Sequence, residues 1–311
     1  MNTTNTHNQI LDLKIRMAKA IIGQEHVIEQ LLIALLANGH VLMEGLPGLA
    51  KTRTIKTLAA NLESEFRRIQ FTPDLLPSDI TGTEIYVGEA EGDKFQFQQG
   101  PVFGNLILAD EINRAPAKAQ SALLEAMEER QVTADGQTCA LPEPFFVIAT
   151  QNPAHQVGTF PLPESQLDRF LLRIRLGYPD PQAERALLMG EDRRGLLERH
   201  QAVIGPAELL EMQQAAQGLH VAEALVAYVQ ALLAATRNSA ELAGGLSPRA
   251  GLGLLAAARA WALLDGRDHV LPEDVQALFP HVAAHRVHLA GDGRPVPPAT
   301  LLRLLQAVAV G

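Results

Sequence analysis

The sequence has a single cysteine, Cys139, among its 311 residues. One cysteine excludes an internal disulfide framework and a cysteine-ligated metal cluster. A chain without disulfides suits a reducing compartment, so we expect it to work in the cytoplasm. The stretch MNTTNTHNQILDLKIR at the start is polar and lacks the apolar segment of a secretory signal, which agrees with that expectation.

Long apolar runs and a surplus of basic residues are also absent. The longest apolar stretches, such as VIEQLLIALLA, are interrupted and too short to cross a bilayer, so we expect no membrane insertion. Lysine and arginine number 26 against 35 aspartate and glutamate residues, which gives a net charge of −9. This balance argues against a broad surface for nucleic acid, although a local basic pore would escape such a count.

The pattern of strands and helices divides the chain into two parts. In residues 1–178, five short apolar strands alternate with helical or loop segments, which predicts a parallel sheet covered on both faces. These strands are HVLMEG, FRRIQF, NLILAD, PFFVIAT and FLLRIRL. Residues 183–311 show helical patterns only and predict a smaller helical domain. Alternating segments near 84–98 and 130–141 predict two hairpins that project from the first domain.

The stretch MEGLPGLAKTRT has the layout of a phosphate-binding loop between a strand and a helix. In such a loop backbone N–H groups cradle the phosphates, a lysine reaches the outer phosphates, and a Ser or Thr hydroxyl ligates Mg²⁺. Lys51 and Thr52 have the spacing from Gly45 and Gly48 that these roles require. Ala50 stands where glycine is usual, and a Gly/Pro turn before a helix is the structural alternative.

Two other strands end in polar residues that suit phosphate chemistry. Asp110 and Glu111 close NLILAD, at the carboxyl edge of the sheet where open α/β folds bind ligands. Asp110 would hold Mg²⁺, directly or through water, and Glu111 would polarise an attacking water as general base. Asn152, after PFFVIAT, would position water without adding charge. A helix-capping acidic turn and a simple turn are the respective alternatives.

Two arginines are candidates for contacting phosphate, because arginine is always cationic and fork-shaped. Arg169 lies in LPESQLDRF, just before the last predicted strand, and Arg249 lies at the predicted start of a helix in LSPRA. Ser247 and Pro248 fit the N-cap and first position of that helix. Taken singly, each arginine is more often a surface ion-pair partner.

Together these motifs resemble those of AAA+ ATPases and, more closely, of the MoxR branch, from AIIGQEHVIEQ to about Leu289. GLPGLAKT is similar to the MoxR phosphate loop, in which alanine before the lysine is usual. LADEINRAPAKAQSALLEAMEERQVT resembles the Walker B region, ATQNP sensor 1, LPESQLDRF the arginine-finger segment and LSPRA sensor 2. The resemblance implies an α/β fold: an AAA+ αβα nucleotide-binding domain with a five-stranded parallel sheet, then a smaller all-α lid domain.

The resemblance also assigns roles to individual residues. Catalysis would involve Glu111, Lys51, Asn152, Arg169 and Arg249. Mg²⁺ would be held by Thr52 and Asp110. ATP would contact Ile22, Gly23, Gln24, Gly45, Leu46, Pro47, Gly48, Leu49, Ala50, Lys51, Thr52 and Arg53.

The function implied by the resemblance is Mg²⁺-dependent ATP hydrolysis that drives chaperone-like maturation or activation of a protein complex. Such proteins form rings, usually hexamers, in which Arg169 would reach the ATP of the neighbouring subunit. The implied partners are a protein client and a separately encoded protein with a von Willebrand factor A domain. The alternatives are a magnesium-chelatase-like motor subunit, a nucleic-acid translocase, and a scaffold that binds ATP without appreciable turnover.

Overall fold

The structure is a computed structural model and describes residues 3–21, 23–45, 51–87, 94–134, 136–152, 158–189, 202–291 and 293–310. The strands are β1 His40–Glu44, β2 Phe66–Gln70, β3 Gly82–Val87, β4 Lys94–Gln99, β5 Leu106–Asp110, β6 Gln131–Ala134, β7 Gln137–Ala140, β8 Phe146–Gln151 and β9 Phe170–Arg175. The helices are α1 Thr3–Ala20, α2 Glu25–Leu36, α3 Lys51–Asn61, α4 Pro77–Thr81, α5 Ala117–Glu129, α6 Glu164–Leu167, α7 Pro181–Leu188, α8 Pro206–Gln217, α9 Glu223–Arg237, α10 Pro248–Leu264, α11 Pro272–Ala283 and α12 Pro298–Gln306.

Five strands form one parallel sheet in the order β2-β5-β8-β1-β9. They are the five strands predicted from the apolar runs, so the predicted α/β fold with a parallel sheet is confirmed. Every residue of β5 is buried, and β1 is buried up to its last residue. Continuous burial is expected of parallel strands that are covered on both faces.

The parallel arrangement gives the sheet two chemically different edges. Since the strands run in the same direction, Glu44, Asp110 and Gln151 end β1, β5 and β8 at one edge, the carboxyl edge. Phe170 begins β9, so Arg169 lies at the opposite, amino edge. Polar residues at these two edges of one chain are therefore separated by the length of a strand.

One apolar cluster joins the sheet to the C-terminal helices. It contains Val41 and Met43 of β1, Leu31 of α2, Leu254 of α10 and Val282 of α11. A second cluster fills the other face of the sheet with residues of α4 and α5. Burial of this much apolar surface is the main force that holds the helical C-terminal region against the sheet.

Helix α1 was not predicted, because its sequence is polar overall. Ile10, Leu13 and Met17 recur at helical spacing and are almost completely buried. They face α2, α3 and α10, so packing against these helices stabilises α1 despite its composition. Among the residues described, none of the helices combines the length and the apolar character needed to cross a membrane.

Two antiparallel hairpins, β3–β4 and β6–β7, stand outside the main sheet. Gly82 lies at the base of the first, with φ +102°, and a Cβ there would come 2.2 Å from the Gln98 carbonyl oxygen. No other residue fits that position without moving the backbone. The connecting residues 88–93 and Asp135 lie outside the described residues. The domain limits 1–178 and 183–311 stay a prediction.

His40, the first residue of β1, is buried and neutral. Its Nδ1 accepts a hydrogen bond from the Val147 N–H at 3.1 Å, so the ring proton is on Nε2, which lies 3.4 Å from the Met127 carbonyl oxygen. Burial, and next the positive charge of Arg130, lower the pKa of His40 to about 3. Protonation of His40 therefore opposes folding.

We expect acid to destabilise the protein partly through His40. Between pH 6.5 and about 3 the unfolded histidine binds a proton that the folded one does not, so stability is lost as the pH falls through this window. His40→Asn keeps an acceptor for Val147 but cannot titrate. Urea unfolding at pH 7, 6 and 5 should give this variant a shallower pH slope, by up to about 1.4 kcal/mol per pH unit. Equal slopes would contradict the assignment.

Candidate functional site

Lys51 is the first residue of α3 and reaches across the carboxyl edge of the sheet. Its Nζ donates to the Gly45 carbonyl oxygen at 2.8 Å and to Asn152 Oδ1 at 3.2 Å. Burial lowers the pKa of this half-buried lysine, while the charges of Asp110, Glu111 and Glu44 act in the opposite direction. Because both hydrogen-bond acceptors are neutral oxygens, the ammonium group is suited to an incoming anion.

Asp110 is buried at the end of β5 and has a partner on each carboxylate oxygen. Thr150 donates its hydroxyl to Oδ1 at 2.6 Å. Arg68 donates to Oδ2 at 2.6 Å through Nη2 and at 3.2 Å through Nε. A carboxylate is the hard oxygen ligand that Mg²⁺ prefers. Since Arg68 is about half exposed, it can leave Oδ2 for solvent when an ion takes its place.

Glu111 has an unusual backbone conformation, with φ 58° and ψ 47°. A left-handed conformation at a non-glycine residue costs about 1–3 kcal/mol and persists only where its surroundings impose it. Thr150 contributes here, because its hydroxyl oxygen accepts the Glu111 N–H at 2.9 Å. One threonine hydroxyl therefore holds both acidic residues, Asp110 through its side chain and Glu111 through its backbone.

The side chain of Asn152 connects the lysine to the second acidic residue. Its Oδ1 accepts from Lys51, and its Nδ2 donates to Glu111 Oε1 at 3.0 Å. The other Glu111 oxygen lies 3.4 Å from Gln70 Nε2 and 3.3 Å from Arg114 Nε. The structure thus brings Lys51, Glu111 and Asn152 together in one hydrogen-bonded chain.

Two of the predicted nucleotide-contact residues carry buried polar atoms without a hydrogen-bond partner in the described part of the chain. Arg53 Nε and Nη2 and Gln24 Oε1 are buried and have no hydrogen-bond partner among the described residues. Buried polar atoms are normally paired, so the Arg53 atoms fit a polar group that would bind beside α3. Thr52 follows Lys51 in the first turn of that helix. Gly23 has φ +71° and packs closely against α7.

Six of the predicted nucleotide-contact residues are not among the residues that the structure describes. Ile22, Leu46, Pro47, Gly48, Leu49 and Ala50 lie outside the described residues. The neighbouring positions Gly45 and Lys51 are described and in contact.

Arg169 and Arg249 are brought together, but at the amino edge of the sheet. Both pair with Glu128 near the end of α5: Arg169 Nε lies 3.8 Å from Oε2, and Arg249 Nη2 bonds Oε1. Ser247 caps α10 as predicted, accepting the Ala250 N–H at 3.1 Å. Its hydroxyl also donates to Asp168 Oδ2 at 3.0 Å, which ties the start of α10 to the Arg169 segment. The two arginines thus form a cluster separate from the Lys51 site.

Three residues of these clusters were not predicted from the sequence. Thr150, Arg68 and Glu128 hold Asp110, Glu111 and the two arginines. Thr150 had a detectable signal, since it is a polar residue that ends an apolar strand at the carboxyl edge. Arg68 and Glu128 had no detectable signal in the sequence, because their partners are distant along the chain.

We expect Thr150→Val to destabilise the protein by about 1–3 kcal/mol, because it leaves Asp110 Oδ1 and the Glu111 N–H without their partner. Thr150→Ser keeps the hydroxyl and should restore most of the loss. Chemical denaturation of the three proteins measures the difference. Equal stability of the Val variant and the parent protein would show that the hydroxyl does not hold this edge.

Models of two protein families match the chain. The ATPase family associated with various cellular activities (AAA) matches residues 40–172, which include β1, β5 and β8. The AAA lid domain matches residues 234–304, which include α10 and α11.

Proteins that are similar over most of their length carry related names. Chaperone MoxR1 of Mycobacterium tuberculosis is 46% identical over 94% of this chain and 80% of its own length. Protein MoxR of Paracoccus denitrificans is 33% identical over 98% of this chain and 96% of its own length. The solved structure of a candidate ATPase from Cytophaga hutchinsonii has a TM-score of 0.90 and 39% identity, covering 99% of this chain and 97% of that one.

Proposed function

The chain belongs to the MoxR family of AAA+ ATPases, and on that premise we propose that it hydrolyses ATP to ADP and phosphate with Mg²⁺. The observation that carries the proposal is the position of Asn152, whose amide joins the lysine of the phosphate loop to Glu111. A cation for the phosphates, a carboxylate for the water and a neutral amide between them are the groups that phosphoryl transfer to water needs.

Lys51 binds the outer phosphates. On nucleotide binding its ammonium group exchanges neutral oxygens for phosphate oxygens, which is a stronger, charge-assisted interaction. Arg53 and Gln24 offer their unpaired polar atoms to the rest of the nucleotide. Thr52 and Asp110 would hold Mg²⁺, which neutralises charge on the phosphates.

Glu111 acts as the general base. Its carboxylate is anchored by Asn152, so it is held next to the place where Lys51 directs the terminal phosphate. There it accepts a proton from the attacking water, while the Asn152 amide orients that water and adds no charge. The left-handed backbone at Glu111 aims the side chain at this point.

The arginines act on a neighbouring copy of the chain. The position of Arg169 at the amino edge of the sheet, a strand length from Lys51, and its shared partner Glu128 with Arg249 support action on another subunit's nucleotide. In a ring, most simply a hexamer, this cluster would face the Lys51 site of the next subunit. Glu128 holds the two guanidinium groups together until the phosphates replace it.

We further propose that ATP turnover drives chaperone-like remodelling of a client protein complex in the cytoplasm. Family membership and the name of the relative Chaperone MoxR1 support this role. The resemblance adds a separately encoded partner with a von Willebrand factor A domain. The net charge of −9 favours a protein client over nucleic acid.

We expect Lys51→Ala and Glu111→Gln to abolish Mg²⁺-dependent ATPase activity for different reasons. In Lys51→Ala, loss of the ammonium group weakens ATP binding. In Glu111→Gln, ATP still binds but the general base is gone, and a general base is worth about 10²–10⁴-fold in rate. Phosphate release and fluorescent-nucleotide binding separate the two effects. Retained turnover in both variants would refute the assigned chemistry.

Arg169→Ala should bind ATP but hydrolyse it about 10³–10⁵-fold more slowly, because a finger arginine stabilises transition-state charge. Arg67→Ala is the control, since Arg67 is an exposed arginine paired with Glu65. Co-expression of Arg169→Ala with Lys51→Ala subunits should restore part of the activity. In a mixed ring, a Lys51→Ala subunit supplies its intact Arg169 to the intact Lys51 site of a neighbouring Arg169→Ala subunit. Absence of restoration in mixed rings would reject action between subunits.

Glu111→Gln should also retain the client, since ATP stays bound. Affinity purification of this variant with ATP, compared with the same variant without nucleotide, identifies proteins held only in the ATP state. Equal recovery in both samples would contradict a nucleotide-driven remodelling role.

A further inference from the structure

Glu44 connects the phosphate loop to the strands on either side of β1. It is the last residue of β1 and directly precedes Gly45, whose carbonyl accepts from Lys51. Its carboxylate accepts from Gln151 of β8 and from Arg173 of β9, and it lies 3.5 Å from Arg175 Nε. Gln151 in turn directly precedes Asn152. This carboxylate therefore connects the residue before the loop with the residue before Asn152.

Arg173 connects Glu44 to the C-terminal region. One guanidinium nitrogen, Nη2, pairs with Glu44, and the other, Nη1, donates to the Ala284 carbonyl oxygen at 2.9 Å, directly after α11. The side chain is only 9% exposed, and burial lowers its pKa although the charge of Glu44 acts in the opposite direction. A buried guanidinium with two fixed acceptors has little freedom to move independently of them.

The segment Ala284–Arg286 continues along β9 to the amino edge. His285 Nε2 lies 2.9 Å from the Phe170 carbonyl oxygen. Arg286 is buried and bonds Asp168 Oδ1 at 2.6 Å, next to Arg169. Three consecutive residues therefore contact β9 from the Glu44 ion pair at one end to the arginine cluster at the other.

A cavity lies beside this contact. Its volume is about 640 Å³, and it is lined by Glu44, Asn152, Arg173, His285 and Pro295 among others. Ala284 packs against the apolar cluster that includes residues of β9 and α11. The hydrogen bond from Arg173 to Ala284 adds a directional polar contact to this packing.

We propose that Arg173 is a positioning residue that couples the nucleotide site to the segment Ala284–Arg286. When nucleotide draws Lys51 away from Gly45, the end of β1 shifts, and Glu44 passes the shift through Arg173 to Ala284. The same segment holds Asp168, so the arginines offered to the next subunit respond to the nucleotide in their own subunit. This inference rests on the proposed ATP hydrolysis.

Arg175 provides a matched control. Both arginines belong to β9 and pair with Glu44, but Arg175 is about half exposed and makes no described contact with Ala284–Arg286. Arg175→Met removes a charge from Glu44 and leaves the coupling contact intact. Arg173→Met removes a charge from Glu44 and the contact with Ala284, while the remaining Arg175 still compensates the partly buried carboxylate.

The full-length chain and three variants, Arg173→Met, Arg173→Lys and Arg175→Met, are compared in two measurements. The first is ATP turnover, with kcat and KM determined separately. The second is hydrogen–deuterium exchange of peptides covering Ala284–Arg286, with and without ADP. Lysine is included because it keeps the buried charge and folds most readily, but it has one nitrogen where two are needed to span Glu44 and Ala284.

In the parent chain and in Arg175→Met, we expect ADP to change the exchange of this segment at least about twofold. In both Arg173 variants, ADP should no longer change the exchange of this segment. Their kcat should fall about tenfold, while KM stays within about threefold of the parent value. Preserved exchange changes in either folded Arg173 variant, or an equal loss in Arg175→Met, would overturn the coupling. If the parent chain binds no ADP, the proposed ATP hydrolysis fails together with the coupling. If it binds ADP and the exchange results above are not obtained, the coupling alone fails.

Discussion

The fixed direction of the parallel strands is the constraint on which the rest of this structure depends. It gathers Lys51, Asp110, Glu111 and Asn152 at the carboxyl edge, because each follows or ends a strand there. The same constraint places Arg169 at the other edge, since it precedes a strand instead of following one. A chain folded in this way holds its two polar clusters at opposite edges of the sheet, and the proposed hydrolysis needs both.

Above the apolar core, a few hydrogen bonds arrange the polar side chains of the carboxyl edge. Thr150 holds Asp110 and the strained backbone of Glu111, Asn152 joins Glu111 to Lys51, and Glu44 joins three strand ends. Because Asp110, Thr150 and Asn152 are buried, an unpaired group among them would cost free energy. These directional contacts join the strand ends to one another.

The sequence predicted the sheet and most of the helices that flank it, because apolar strands and helical periodicity are local signals. It also predicted the Ser247 cap, for the same reason. It missed α1, whose stability comes from packing against α2, α3 and α10. It could not predict that Glu128 pairs both arginines or that Arg173 spans Glu44 and Ala284, since those contacts join residues far apart in the chain. The sequence thus predicted the elements and the polar residues at their ends, but not the contacts between side chains that are far apart in the chain.

The most direct test of a site divided between copies is the specific ATPase activity as a function of protein concentration, with the assembly state measured in the same samples by mass photometry. A divided site predicts that activity per chain falls in proportion to the fraction of assembled chains, because a lone subunit would have no Arg169 or Arg249 from a neighbour at its Lys51 site. Full specific activity in samples that contain only single chains would contradict this account.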